Sequence, residues 1–313
     1  MLIKLNSICR LVGGIPIEDG AGKEIVSRFY TVMDTQGAFF TDSNGREILE
    51  RKRNYRESWT IDLNETIAGN YYPINTKIAI EDKTNRLAVL TDRAQGGGSI
   101  YDGTLELMVH RRLLHDDAFG VAEALNETAF GTGLVARGKH YLIFGAKTKK
   151  SPSLEARERF LQNEILLPNW LFFNDVSSMS FDDWSKKYTN IHSSIGLALP
   201  KNVYLMTLEP WKAGQMLIRF EHILEKGEDT ELSKAVRFSI DDLFTGFEIV
   251  DMRELSLSAN QFFEDIDRLH FTTDNNQQTK QQQKNASAKD SEVTLEPMQI
   301  RTFIFSLNPK EVS

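Results

Sequence analysis

Turn-forming residues punctuate this chain about every ten positions, and the runs between them are short and rich in β-prone residues. That pattern belongs to antiparallel sandwiches rather than to alternating βαβ units. In GAFFTDSNGREIL the Asn44-Gly45 pair supplies the two positive φ angles of a type I′ turn, so Ala38 to Thr41 and Arg46 to Leu49 are predicted to form a hairpin. Further strands are expected at Lys77 to Ile80, Leu87 to Thr91, Leu105 to His110, Tyr141 to Gly145, Val203 to Leu208 and Met216 to Ile223. In the last of these Met216, Ile218 and Phe220 point one way and Leu217, Arg219 and Glu221 the other, the alternation of a half-buried strand. Helix is scarce. The strongest candidate is SLEARERFLQNEIL, with Ser153 as N-cap and Leu154, Leu161 and Ile165 on one stripe, expected to lie across a sheet edge or to connect strands.

Two segments read as punctuation. NIHSSIGLALP, Asn190 to Pro200, separates a larger first part from a strand-rich second part, giving expected domains 1–200 and 201–313. TTDNNQQTKQQQKNASAKDSE, Thr272 to Glu292, has almost no apolar residue and cannot offset its ordering entropy by burial, so a mobile surface loop is expected there. Order returns in VTLEPMQIRTFIFSL, where Phe303, Phe305 and Leu307 alternate as a closing strand.

The 313 residues, 41% hydrophobic and 26% charged, suffice for one large or two medium cores. A net charge of -7 argues against a nucleic-acid partner, which would need a cationic surface to release counterions. The basic cluster Arg46, Arg51, Lys52, Arg53 and Arg56 is interleaved with Glu47 and Glu50 and reads as a solvated strand face. No stretch approaches the roughly 18 apolar residues of a membrane span, and the start MLIKLNSICRLVGGIPI has no apolar run of signal-peptide length. A single cysteine, Cys9, excludes an internal disulfide. Asn64, Asn126 and Asn285 each open an N-glycosylation triplet, compatible with a lumenal or secreted route.

Chemistry-bearing residues concentrate in MVHRRLLHDD: His110, Arg111, Arg112, His115, Asp116 and Asp117 follow a strand. Arginine forks and carboxylates at a strand end can hold sugar hydroxyls, and a carboxylate pair is the equipment of glycoside hydrolysis. On residue types alone a structural Arg-Asp network is the better account, because adjacent aspartates do not easily flank one glycosidic bond. His110 and His115 lack HxxxH or HxH spacing, so no metal site is expected from them. The remaining histidines read as surface or packed residues. Gly96-Gly97-Gly98 lacks a following GK[ST] and reads as a turn between strands, with room for a neighbouring domain or a sugar to approach the backbone. No Gly-x-Ser-x-Gly elbow is present, and nothing surrounds Cys9 that would make it a nucleophile.

TDRAQGGGSIYDGTLELMVHRRLLHDDAFG (Thr91 to Gly120), read with TDSNGREILERKRNY (Thr41 to Tyr55) and AGNYYPIN (Ala68 to Asn75), resembles the C-terminal β-rich region of glycoside hydrolase family 38, the retaining α-mannosidases, in their lysosomal branch. The resemblance runs from about Leu11 to Phe303 and weakens between Lys147 and Pro200. It implies a galactose-mutarotase-like β-sandwich followed by a smaller immunoglobulin-like one. It also implies a zinc-assisted retaining hydrolysis of terminal α-linked mannose in glycoprotein glycans, in a lysosomal or secreted enzyme. The nucleophile and zinc ligands lie on an N-terminal catalytic domain, which would be this chain's partner. Met1 is accordingly expected to open a fragment or a truncated gene model, catalytically inactive alone and binding no metal itself.

By the resemblance one arginine of MVHRRL projects toward the mannose pocket. Arg112 takes that role, with Arg111 as the alternative, and Asp116 and Asp117 order the same loop. A rival reading is a stand-alone carbohydrate-binding module with Tyr71, Tyr72 or Trp184 as sugar platforms. A second rival is a purely structural fragment, which would leave an apolar interface exposed.

Overall fold

The computed structural model describes residues 6–173, 175, 178–189, 193–212, 214–267 and 291–310. Contacts divide the chain into two compact units. The first runs to Pro168 and takes in Glu228–Thr230, and the second holds Asn169–Gly227 and Glu231 onward. The sequence puts the boundary later, in 190–200. Residues 190–192 lie outside the described set, but Ile195, Leu197 and Leu199 pack against the second core, so the apolar half of that segment belongs to the second unit.

Unit 1 contains β1 (Asn6–Val12), β2 (Lys23–Tyr30), β3 (Ala38–Ser43), β4 (Glu47–Lys52), β5 (Tyr72–Ile74), β6 (Lys77–Glu81), β7 (Asn85–Thr91), β8 (Gln95–Gly98), β9 (Thr104–Arg112), β10 (Thr128–Ala129), β11 (Thr132–Gly133), β12 (Ala136–Ala146) and helix α1 (Leu154–Leu166). A six-stranded antiparallel sheet, β1-β12-β7-β6-β3-β4, faces a four-stranded one, β2-β9-β8-β5, and β10 pairs with β11 as a separate ribbon. Phe39, Ile78, Ile80 and Val89 from the first sheet meet Ile74, Leu105 and Leu107 from the second in a shared core. Full burial of one such side chain contributes about 1.5–3 kcal/mol.

The other face of the large sheet is also covered. Ala79, Ala88, Leu90 and Ile143 pack against Leu154, Leu161 and Ile165 of α1, so the predicted stripe packs as one face. The helix therefore lies on the sheet's face and not across its edge. Burial on both sides explains why β6 and β7 are nearly continuously apolar rather than alternating. The Ser153 hydroxyl caps α1, accepting from the Ala156 amide at 3.0 Å. The hairpin between β3 and β4 turns at Asn44 (φ 52°) and Gly45 (φ 73°), with the Arg46 amide donating to Ser43 O at 3.0 Å. That is the predicted turn, and each strand extends two or three residues beyond the predicted span.

The glycine run departs from expectation. Gln95–Gly98 is a strand, paired with β5 and β9, not a turn. Close approach is what demands glycine: a Cβ on Gly98 would sit 2.4 Å from the carbonyl oxygen of Asn70, and one on Gly97 would sit 2.8 Å from that of Glu106.

Unit 2 contains α2 (Phe181–Lys187), β13 (Val203–Pro210), β14 (Gln215–His222), β15 (Val236–Ser239), β16 (Phe247–Leu255), β17 (Glu292–Leu295) and β18 (Ile300–Pro309). The sheet β13-β14-β18-β16 and the pair β15-β17 enclose Ile218, Phe220, Phe238, Val293, Phe303 and Phe305. Phe220 meets Phe238 edge-on at 5.3 Å. The alternation expected in β14 is present, and Leu217 on its opposite face packs with Leu255, Ala259 and Ile304. The expected mobile loop at 272–292 lies outside the described residues up to 290, and Glu292 already opens β17. The closing segment is two strands rather than one, broken by a turn in which Met298 adopts a φ of 66°.

Candidate functional site

The sheet pairing of β9 decides where the Arg-Arg pair points. In register, Glu24 of β2 stands opposite Arg111 and Lys23 opposite Arg112. Arg111 Nη2 reaches Glu24 Oε1 at 3.0 Å, with both side chains 44% exposed, a pair of the kind worth little in solvent. Alternation sends Arg112 to the other face together with His110.

Both residues hold the segment that follows β9. His110 Nε2 lies 2.8 Å from Leu134 O. Arg112 Nε donates to Asn126 Oδ1 at 2.8 Å and its Nη1 to Ile15 O at 2.7 Å. Gly133 leaves room for it: a Cβ there would lie 2.7 Å from Arg112 Nη1 and would push the guanidinium aside. The second terminal nitrogen, Nη2, has no hydrogen-bond partner among the described residues, so half of the fork remains for something else.

The aspartates behave differently from each other. Asp117 is exposed and its Oδ1 accepts from the Phe119 amide at 3.0 Å, which orders the turn. Asp116 keeps its Oδ2 shielded from solvent without a hydrogen-bond partner, an arrangement that costs free energy in isolation. The segment then displays Phe119 (92% exposed), Val121 (75%) and Phe130 (107%). Phe130 stands at the tip of the β10–β11 ribbon with a φ of 54°, where a bulky residue is an outlier. Asn64 and Asn126 are exposed, and Asn285 lies outside the described residues.

Other residues singled out in the sequence are internally engaged. Tyr71 donates its hydroxyl to Glu106, a carboxylate 3% exposed on β9 that also accepts from Arg28 Nε at 2.6 Å. Burial together with Glu106 pushes the Tyr71 phenol far above its ordinary range. Tyr72 lies under the guanidinium groups of Arg51 and Arg56, 4.3 and 5.1 Å from the ring centroid, so two members of the basic cluster cover an aromatic ring. Arg53 bonds Asp102 at 2.6 Å. Trp184 is half-buried and stacked between Phe181 and Tyr188. Nothing in the sequence flagged Glu106, because its partners stand 35 and 78 positions away.

Two histidines, His140 and His222, are packed inside. His140 Nε2 meets Gln95 Oε1 at 2.8 Å, and burial, with Arg10 adding to it against Asp92, holds the imidazole down to about 4. A base whose folded pKa is lowered binds fewer protons than the unfolded chain, so stability falls as pH drops from about 6.5 toward about 4. Thermal midpoints recorded across that window should show this decline, and His140→Gln should flatten it. An unaltered slope in the variant would place the pH dependence elsewhere.

Among the described residues no group of three or more His, Cys, Asp or Glu side chains could hold a metal ion, so the residues present do not fit a zinc site. No described helix is long and apolar enough to cross a membrane.

Comparison with known proteins gives the family. The model "Glycosyl hydrolases family 38 C-terminal domain" matches residues 6–119, and "Glycosyl hydrolases family 38 C-terminal beta sandwich domain" matches residues 202–303. The chain is 43% identical over 303 residues to the lysosomal alpha-mannosidase of Bos taurus and equally to that of Homo sapiens, covering 96% of this chain and 29% of each relative. It is 36% identical over 305 residues to the alpha-mannosidase of Canavalia ensiformis, covering 94% of this chain and 30% of that relative. Among solved structures, an alpha-mannosidase from Enterococcus faecalis V583 superposes with a TM-score of 0.50 at 12% identity, covering 90% of this chain and 25% of that one, a likeness of fold. The chain thus spans less than a third of the relatives it matches. With two models of one family matching in order, each over a sandwich, and the relatives aligned along almost all of it, this chain belongs to glycosyl hydrolase family 38, as its C-terminal β-sandwich region.

Proposed function

We propose that this chain serves as the C-terminal sandwich region of a lysosomal-type retaining α-mannosidase that hydrolyses terminal α-linked mannose of glycoprotein glycans. It buttresses the catalytic domain and completes the sugar pocket. The observation that carries the reading is the 43% identity, along 96% of the chain, to relatives named lysosomal alpha-mannosidase. The end of β9 supports it. Arg112 has an unused Nη2, Asp116 has a shielded oxygen in need of a donor, and Phe119, Val121 and Phe130 each stand exposed in the segment that follows.

Arg112 is the residue we assign to the pocket, with Arg111 as the alternative; Asp116 and Asp117 order the loop beside it. A guanidinium donates without accepting, so its part is to orient mannose hydroxyls and to balance negative charge, while the nucleophile and the acid/base carboxyl come from the catalytic domain. Zinc, in this reading, is held by that domain, and none of the steps assigned to this chain passes through it. Exposed Asn64 and Asn126 suit a glycoprotein of the lysosomal or secreted route. The Arg112 bond uses Asn126 Oδ1, which leaves the amide nitrogen for a glycan.

The test joins this region to a family 38 catalytic domain and follows a chromogenic α-mannoside. Arg112→Ala should lower kcat/KM on the order of 10²-fold, the loss typical of a charge-assisted contact in a dry site, whereas Arg111→Ala should change it by less than about twofold. The 313-residue chain alone should show no turnover. An unchanged kcat/KM in Arg112→Ala would remove that residue from the pocket, and turnover by the chain alone would reverse the division of labour.

A further inference from the structure

Unit 2 carries a cavity of 490 Å³ on the face of its four-stranded sheet that looks away from the phenylalanine core. Strand alternation builds it. Gln215 and Leu217 of β14, Ile304 of β18, and Asp251, Arg253 and Leu255 of β16 share that face, as the pairings Asp251 with Ser306 and Arg253 with Ile304 require. Leu255, Ala259 and Ile304 make an apolar floor. Phe262 forms one wall, its ring covered by the Arg253 guanidinium at 3.3 Å from the centroid. Trp211, 41% exposed in the turn between β13 and β14, forms the rim.

What the cavity offers to a ligand is specific. The side chains of Asp251, Gln261 and Lys212 border it and have no hydrogen-bond or ionic partner among the described residues. Asp251 is a bidentate acceptor, Gln261 both donates and accepts, and Lys212 donates. The positive charge of Arg253 is already matched by Glu264 at 2.6 Å, and the charge of Lys212 is offset by that of Asp251, so the lining carries no net positive charge to draw a phosphate or other anion. The sheet presents side chains here, so the main-chain pairing that captures an extended peptide is not on offer. An apolar floor, an exposed indole and a few planar polar groups within the about 300–1,000 Å³ usual for ligand sites suit a ligand with C–H faces and hydroxyl edges.

We propose that this cavity binds a neutral oligosaccharide, with Trp211 stacked on a pyranose face and Asp251 and Gln261 holding adjacent hydroxyls. The site stands on unit 2 alone and is independent of the role given to Arg112. It would hold a glycan to the protein without acting on it.

The experiment is a ligand-observed NMR titration of the 313-residue chain with methyl α-mannoside, an α-linked mannobiose, lactose and a sulfated disaccharide. Saturable binding of at least one neutral sugar is expected, weakened roughly tenfold or more by Trp211→Ala, which removes the stacking ring, and by Asp251→Asn, which removes a charged acceptor. Both positions are solvent-accessible, so thermal midpoints should stay within about 2 °C of the parent. Tyr71→Phe, in unit 1, should leave binding unchanged. Three results would overturn the proposal: no saturable binding of any neutral probe, binding that survives both variants, or binding of the sulfated sugar alone that salt abolishes.

Discussion

Glu158→Leu is expected to lower the thermal midpoint of unit 1 by about 6–20 °C, from a loss of about 3–5 kcal/mol for breaking a buried ion pair at about 2–4 °C per kcal/mol. The carboxylate is fully buried on α1 and has two cationic partners on the sheet. Its Oε2 accepts from Lys77 Nζ at 3.0 Å and from Arg86 Nη2 at 3.1 Å, and its Oε1 accepts from Arg86 Nε at 2.7 Å. Among the described residues, removing it leaves Lys77 with no other ion-pair partner, at 2% side-chain exposure, and Arg86 with Glu81 close by and Glu155 at 4.0 Å. Lys77→Met removes only one arm and keeps the Arg86 fork, so its cost should be clearly smaller. A melt in which Lys77→Met is as damaging as Glu158→Leu would show that Glu158 is not the hub.

The same network sets an acid limit. Burial alone would raise the Glu158 carboxyl, but the charges of Arg86 and Lys77 outweigh it and take it down to about 2. A carboxylate with a depressed folded pKa stabilises fully above its unfolded value of 4.5 and loses that contribution as pH falls toward about 2. The attachment of α1 to the sheet is therefore kept in mild acid, while the His140 decline acts at higher pH.

What could be read from the chain was local. Asn44-Gly45, Ser153 and the Met216–Phe220 alternation each act through neighbours within a few positions, so turn, cap and strand face followed from residue type. Glu158 and Arg159 lie outside the apolar stripe of Leu154, Leu161 and Ile165, yet they are buried because Lys77, Arg86 and Glu228 wait 69 to 81 positions away. At the end of β9 a strand reaching His110 was legible, and it runs on to Arg112, which puts the two residues on one face. Their acceptors, Leu134 O, Asn126 Oδ1 and Ile15 O, were not, since nothing in a sequence announces which loop carbonyl will arrive. The cavity beside Trp211 had no motif at all, because four separated segments supply its walls.

The glycine run makes the second large prediction, because its three members share a strand and differ only in what lies beyond the missing Cβ. Gly98→Ala should cost about 3 kcal/mol, the upper end of overpacking, because the new methyl would meet Asn70 O at 2.4 Å. Asn70 cannot easily retreat: it is fully buried, its Nδ2 donates to Asn54 Oδ1 and Thr66 O at 2.7 Å, and its Oδ1 accepts from the Asn54 amide at 2.8 Å. Gly97→Ala meets the Glu106 carbonyl at 2.8 Å, within the β8–β9 ladder, and should rank second. At Gly96 the obstacle is the edge of the Tyr71 ring at 3.2 Å, a side chain able to tilt, so alanine there should cost under about 1 kcal/mol. Urea midpoints of the three single variants test the order. If Gly96→Ala proved as costly as Gly98→Ala, the requirement would be for glycine's backbone freedom, which a paired strand does not need, and not for the space its missing side chain leaves to Asn70.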